Sequence, residues 1–366
     1  MTGKAGSMKL VHLVTYNEKF IPRQLQLLNA EFGQNDQEFY LIGGGKGLEE
    51  VLGANIYRLT KRSLLAFVIS AHRANRLVFN GLYSQSILTF LLLFPWLIRK
   101  AVWLPWGGDL YWRGLVPATR WNRFLDHLRR RFICQLNAIA TPTRGDYLKA
   151  QEMYQTRARY IDGCPNIFAF EREDLDQEKA RASVLRQTKK AKIIQIGNSG
   201  DPSNEHLEVF EWIKEYASEN IEIHVPLSYG FAGEEGYRDE VLQRGRELFG
   251  EKFKPMTRLL EAAEYNQYLS TVDVMIFNHK RQQGFGNMVI SLYLGTKMYL
   301  RSSVSTWTFL KDKMGCTVFD TESILGMTYS RFTELESTIR TKNEKAVSHL
   351  FDRKWQKQRW EELYRE

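Results

Sequence analysis

Short apolar runs alternate with helical stretches along nearly the whole chain, and this alternation limits the fold more than any other feature. Leu10 to Thr15 reads as an opening strand and Ile21 to Phe32 as the helix after it. Glu38 to Ile42, closed by Gly43-Gly44-Gly45, is the next strand, followed by Leu77 to Asn80, Ala101 to Leu104, Ala138 to Thr141 and Arg159 to Ile161. A charged stretch from Glu171 to Lys190 reads as helix plus linker. The pattern restarts at Lys192 and continues through Ile221 to Pro226, Lys254 to Thr257, Val272 to Phe277, Met298 to Leu300 and Thr317 to Phe319. Strands joined by helices pair in parallel, so an α/β fold of two doubly wound sheets is expected, with ligands at the C-terminal strand ends. A chain of 366 residues also exceeds the roughly 250–300 at which one core stops growing. Domains at 8–180 and 188–325 follow, with closing helices over 326–366 whose apolar side carries Val347, Leu350, Phe351, Trp355 and Leu363.

Two strand–glycine–helix turns lie in the second half. After Ile193 to Ile196 come Gly197, Asn198, Ser199, Gly200, Asp201, Pro202, Ser203, Asn204, Glu205 and His206. Gly197 and Gly200 let the backbone bend close to a ligand, and Pro202 suits a first helical turn. After Val272 to Phe277 come His279, Lys280, Arg281, Gln282, Gln283, Gly284, Gly286 and Asn287, then an apolar helix from Met288 to Leu294. Such turns aim backbone N–H groups and a positive helix end at an anion. A diphosphate also needs charge, which His279, Lys280 and Arg281 offer. A solvated loop is the alternative, but two such turns in one half favour the phosphate. Tyr229, at a strand end, is either a base-stacking or phosphate-contacting residue or a core aromatic.

The first half has a different character. From Lys61 to Tyr160 there are 16 Lys/Arg against four Asp/Glu, an excess of 12 in a chain of net charge +9. Within it lies the apolar run Leu88 to Ile98, too short for the ~20 residues that span a bilayer. A core helix and a peripheral contact with an anionic membrane surface are equally open readings. A nucleic-acid surface would account for the charge, but not for Leu91-Leu92-Leu93-Phe94 amid it, nor for phosphate turns elsewhere. Cys134, Cys164 and Cys316 have neither metal nor redox spacing, so free thiols in a reducing compartment fit. Met1 to Ser7 reads as an extension before Met8, with no signal peptide after it.

Four blocks then carry a resemblance: Trp106-Gly107-Gly108-Asp109-Leu110-Tyr111, Thr143-Arg144-Gly145-Asp146, the run Gly197 to His206, and Arg281 to Gly286. In that order they resemble the bacterial 4-acetamido-4,6-dideoxygalactose (Fuc4NAc) transferases of enterobacterial common antigen synthesis. The resemblance spans roughly positions 100 to 290 and implies a GT-B glycosyltransferase, two facing domains with a cleft. It implies a dTDP-sugar donor on the C-terminal domain and an undecaprenyl-diphosphate-linked saccharide acceptor on the N-terminal one. The place of work is then the cytoplasmic face of the inner membrane, peripherally, with no nucleic-acid partner. No cofactor is expected. Asp174-Leu175-Asp176 has metal-motif spacing but lies in the charged linker without a preceding strand, so a metal-independent donor site is expected. A sugar-nucleotide-binding protein without catalysis is the alternative.

Asp109 is the first candidate for the base that takes the acceptor proton, with a helix N-cap as the competing role. Trp106, Gly107, Gly108 and Tyr111 beside it suit a sugar, and Arg144 and Asn17 are further acceptor-side candidates. Asp146 reads as an N-cap, and His12, inside the first strand, as buried structure rather than a base.

Overall fold

A computed structural model describes residues 9–17, 21–45, 47–82, 84–163, 172–230 and 236–365. Cys164 and the first seven residues lie outside them. The chain divides into two compact units, Met1–Ala169 with Arg353–Glu366, and Phe170–Asp352.

The first unit is a seven-stranded parallel sheet: β1 (Leu10–Thr15), β2 (Gln37–Ile42), β3 (Ile56–Arg58), β4 (Arg76–Asn80), β5 (Ala101–Leu104), β6 (Ala138–Thr141) and β7 (Arg159–Asp162). Their order is β3-β2-β1-β4-β5-β6-β7, with Leu13 level with Tyr40 on one side and Phe79 on the other. Both faces are covered, as an all-parallel sheet requires. Val11 and Leu13 join Phe67, Phe79 and Trp103 in one core, while Leu10 and Val14 join Phe39, Val78, Val102 and Trp360 in another. Trp360 belongs to the last helix, Arg353–Arg365, which therefore packs on the first unit. The helix Ser337–Ser348 before it stays with the second, where Phe351 meets Tyr293 at 5.2 Å. His12 is buried, stacked on Phe39 at 4.5 Å, and burial lowers its pKa to about 3. It is a neutral core residue.

The second unit has six parallel strands: β8 (Lys192–Ile196), β9 (Ile221–Pro226), β10 (Phe253–Met256), β11 (Val274–Phe277), β12 (Lys297–Leu300) and β13 (Phe319–Asp320). Their order is β10-β9-β8-β11-β12-β13. In each sheet the direction of winding reverses once, between β1 and β4 and between β8 and β11. Diverging connections open a crevice at such a point, and ligands of doubly wound sheets bind there.

The apolar run is divided between core and surface, with Leu92, Leu93 and Trp96 exposed. In the helix Gln85–Leu93, Ile87, Leu88, Phe90 and Leu91 are buried, as are Leu97 and Ile98 beyond it. Asp174 and Asp176 sit on the helix Arg172–Thr188, where Asp176 accepts from the Tyr293 hydroxyl at 2.5 Å and pairs with Lys179 at 3.3 Å. Cys134 and Cys316 are free thiols.

Candidate functional site

Both glycine turns leave the second sheet at its reversal, side by side. Gly197 has φ +67°, and a Cβ there would lie 2.5 Å from Asn204 Oδ1 and 2.7 Å from His206 Nε2, so only glycine fits. The buried Asn204 side chain fills the bend. Its Oδ1 accepts from Asn198 N at 3.0 Å, and its Nδ2 donates to the Asp201 carbonyl at 2.8 Å and Ser199 Oγ at 3.3 Å. Gly200 N donates to the Tyr229 carbonyl at 2.7 Å, Ser203 N to Asp201 Oδ1 at 2.9 Å, and His206 N to the Tyr237 hydroxyl at 3.1 Å. These bonds use the N–H groups that the sequence aimed at an anion. The backbone of the first turn is therefore largely satisfied from within, a correction that follows from Asn204 reaching back across it, and what the turn leaves open are side-chain atoms.

The second turn is fastened to the first. Lys280 N donates to the Ser203 carbonyl at 3.0 Å and Gln283 Nε2 to Ser203 Oγ at 3.1 Å. Arg281 Nη2 pairs with Asp201 Oδ2 at 2.6 Å, both side chains largely buried, and Lys280 Nζ pairs with Glu205 at 2.6 Å in a more exposed position. Gln282 is half-buried in the same loop. Gly284, at φ +67°, turns the chain against the Asn198 side chain and starts the helix Phe285–Tyr293 with no side-chain cap. The first-turn N–H groups of Phe285, Gly286 and Asn287 have no acceptor within their own helix. Asn287 Nδ2 donates to the Tyr265 hydroxyl at 3.0 Å, and Asn198 Nδ2 to the Tyr229 hydroxyl at 3.1 Å. Beyond the far end of the helix, Arg186 donates to the Leu294 carbonyl at 3.1 Å and Arg340 to that of Gly295 at 2.6 Å. Cations satisfy the C-terminal carbonyls, and the uncapped N-terminus is the positive pole left open.

His279 is not one of the cations. Burial holds its pKa well below the ordinary imidazole value, helped by neighbouring Arg281, and burial lowers His206 to about 3 against the pull of Asp201. Two neutral imidazoles therefore line the turns. His206 Nε2, both ring nitrogens of His279, Asn198 Oδ1 and Arg281 Nε are buried without a hydrogen bond of ordinary geometry, only the Gln283 backbone coming near the His279 ring. Buried polar atoms are satisfied in the great majority of cases, so this concentration marks a place built for polar contact.

In the first unit the structure corrects the reading of Asp109. Its carboxylate is fully buried. Oδ2 accepts from Leu82 N and Trp103 Nε1, both at 2.8 Å, and Oδ1 from Trp106 N at 2.7 Å and Leu110 N at 3.0 Å. Buried Arg129 donates to the Asp109 carbonyl at 2.5 Å and to that of Leu82. Burial outweighs the Leu82, Trp103 and Trp106 donors and Arg129, which pull the other way, and leaves the carboxyl pKa above its ordinary value. With two oxygens taking four donors, Asp109 ties the loop after β5 to the end of β4, and no lone pair is left for an acceptor hydroxyl. Nor is it a cap, since the short helix Trp112–Leu115 begins after Tyr111.

Around it, Gly107 takes φ +81° and its carbonyl accepts from Tyr111 N at 2.9 Å, while Gly108 is half-buried. Trp106 Nε1 donates to Asn80 Oδ1 at 2.5 Å, and Asn80 Nδ2 donates to Gln24 Oε1 at 3.1 Å. This chain of amides, invisible in the sequence, fixes the indole over the reversal between β1 and β4. Arg144 is exposed at the start of the helix Arg144–Tyr154, whose cap is Thr143 rather than Asp146, and Asn17 is exposed after β1. Among the described residues, no three His, Cys, Asp or Glu side chains come together as metal ligands.

Solved structures share this architecture. HepE from Anabaena, in complex with UDP and glucose, is 14% identical with a TM-score of 0.64, over 97% of this chain and 99% of that one. A glycosyltransferase from Rickettsia africae ESF-5 is 12% identical with a TM-score of 0.64, over 98% of each chain. Sucrose-phosphate synthase from Thermosynechococcus elongatus is 10% identical with a TM-score of 0.65, again over 98% of each. At these identities they establish the fold, which is GT-B. Residues 19–363 match the 4-alpha-L-fucosyltransferase family, glycosyl transferase group 56, and with nearly its whole length matched the chain belongs to that family of glycosyltransferases.

Proposed function

We propose that this glycosyltransferase moves a 4-acetamido-4,6-dideoxyhexose from a dTDP-sugar to an undecaprenyl-diphosphate-linked saccharide, for cell-surface polysaccharide, at the cytoplasmic face of the inner membrane. One observation supports the donor half above the rest. Arg281, two neutral imidazoles and an uncapped helix N-terminus converge where the second sheet reverses. The similar fold of HepE was solved with UDP-glucose, a nucleoside diphosphate sugar.

As the glycosidic bond to the donor breaks, negative charge grows on the departing diphosphate. Arg281, Lys280 and the N–H groups of Phe285 to Asn287 stabilise it there, the service that fixed donors provide in a transition state. Arg281 must exchange Asp201 for phosphate on the way. Trp106, its indole oriented by Asn80, offers a face to the acceptor sugar in the first unit. The test is turnover of a dTDP-sugar with a polyprenyl-diphosphate saccharide, run with and without excess chelator. Product should form at the same rate in both; a loss restored by magnesium or manganese overturns the metal-free donor site.

Arg281→Ala should weaken dTDP binding by roughly 1.5–3 kcal/mol, the worth of a charge-assisted hydrogen bond. Because Asp201 is then left facing the phosphate, Asp201→Asn combined with Arg281→Ala should recover part of that loss. Calorimetry showing unchanged dTDP affinity in the single variant places Arg281 outside the donor site.

A further inference from the structure

We propose that one ridge of the first unit, formed by the outer face of the helix Leu64–Arg73 and the end of the helix Gln85–Leu93 with the turn Pro95–Lys100, docks on an anionic phospholipid surface. The polyprenyl-anchored acceptor proposed above gives such docking its purpose, and to that extent the inference rests on that reading. The surface itself stands on geometry.

Leu65, Ile69 and His72 recur at helical spacing on one face, and Leu65 is 70% exposed. Leu93 is 65% and Trp96 57% exposed, with Leu64 and Leu92 also open to solvent. The segments carrying them are pinned together. His72 Nδ1 donates to the Val68 carbonyl at 2.8 Å, which leaves Nε2 to accept from Trp96 Nε1 at 3.2 Å. The His72 ring meets Phe94 edge-on at 5.1 Å, and Phe67 meets Phe90 at 4.7 Å beneath. Lys100 Nζ donates to the carbonyls of His72 at 3.0 Å and Ala74 at 2.7 Å. Ser63 Oγ donates to the Arg58 carbonyl at 2.7 Å and accepts from Thr60 N at 2.8 Å, fixing the turn that presents Leu64 and Leu65. These are large aliphatic side chains and an indole held rigidly in water, an arrangement that marks an interaction surface.

Charge identifies the occupant. From Lys61 to Lys100 there are six basic residues and no acidic one. Lys61, Arg62, Arg73 and Arg99 are exposed. Apolar side chains with a Trp, on segments whose exposed charges are all basic, match acyl chains beneath anionic headgroups. Among the described residues no helix is long and apolar enough to cross a membrane, so the contact is made from one side.

The test uses the full chain and vesicles of phosphatidylcholine with increasing phosphatidylglycerol. Binding should rise with phosphatidylglycerol and fall with salt. Leu65→Glu with Leu93→Glu should weaken partition at least about tenfold, since carboxylates replace the inserting groups; both sites are exposed, so the fold is kept. Arg62→Glu with Arg99→Glu should remove most of the salt dependence. Unchanged binding of the leucine double variant, or a parent protein that ignores anionic vesicles at low salt, overturns the inference. So does a concentration-dependent dimer that the leucine double variant dissolves, because the ridge is then a contact between copies. Turnover of a water-soluble short-chain acceptor separates the readings. If it is absent while vesicle binding obeys the pattern, the acceptor assignment fails and the lipid surface stands.

Discussion

Asp109→Ala is expected to destabilise the first unit by about 3–5 kcal/mol, the usual consequence of removing one partner from a buried charged network. Truncation strands four donors, the N–H groups of Leu82, Trp106 and Leu110 and the Trp103 indole, and leaves the Arg129 guanidinium buried without the carboxylate it faces. Asp109→Asn is the sharper experiment. An amide has one oxygen for the four donors, so either orientation sets an NH2 against two N–H groups. Asn should therefore also lower the melting temperature, by roughly half the effect of Ala, with turnover falling only as the loop loosens. A proton-accepting role demands the opposite pattern: an Asn variant that melts normally while turnover drops about 10²–10⁴-fold. Unfolding curves and turnover for both variants decide between them. A stable, inactive Asn variant would reinstate Asp109 as the base.

Asp109 also shows where sequence reading stops. A strand end, two glycines and an aspartate give one local signal for a base, a cap or an anchor. The deciding groups, Leu82 and Arg129, lie 27 and 20 residues away. Arg129 itself sits in the run Arg129-Arg130-Arg131, and nothing local says that its guanidinium turns inward to two carbonyls. Lys280 and Arg281 repeat the difficulty, since their carboxylate partners come from the other turn, Arg281's 80 residues away. What was legible is what depends on periodicity. β1, β5, β6, β9 and the helix Ile21–Phe32 fall where apolar patterning puts them. β3 was missed because only Ile56 of its three residues is buried, leaving no pattern to see. Amphipathy in the tail showed that a face is buried, but not that Trp360, Leu363 and Tyr364 return to β1 while Phe351 stays with Tyr293. The apolar run was ambiguous for a related reason. Composition reports that it is greasy throughout, and only packing separates the buried Leu88 and Leu91 from the exposed Leu92 and Leu93.

Acid should unfold this protein well above the pH at which carboxylates titrate, and the second unit should suffer more. His12 in the first unit and His206 in the second have folded pKa values near 3 against 6.5 for the free side chain, and His279 in the second is displaced in the same direction. The cause in each case is burial, which disfavours the charged ring. Below pH 6.5 the unfolded chain takes up protons on these rings and the folded chain does not. The stability they allow is therefore complete above 6.5 and is lost as pH falls toward the folded values. His12 and His206 each change the balance by about 1.4 kcal/mol per pH unit, or about 2 kcal/mol between pH 7.5 and 5, and His279 acts in the same direction. His224 and His349, both in the second unit, shift the same way through partial burial. Of these His349 is exposed, so His206, His279 and the largely buried His224 are the groups of the second unit that weigh against His12 in the first. Melting followed from pH 7.5 to 5 should show the second unit losing the larger share, before Asp and Glu titrate. His206→Gln, which keeps a polar side chain in the turn but does not titrate, should flatten the slope. A melting temperature constant across that range would mean that these rings take up protons as readily in the folded protein as in the unfolded chain, and the imidazoles of the donor turns, assigned as buried, would have to be redrawn as open to water.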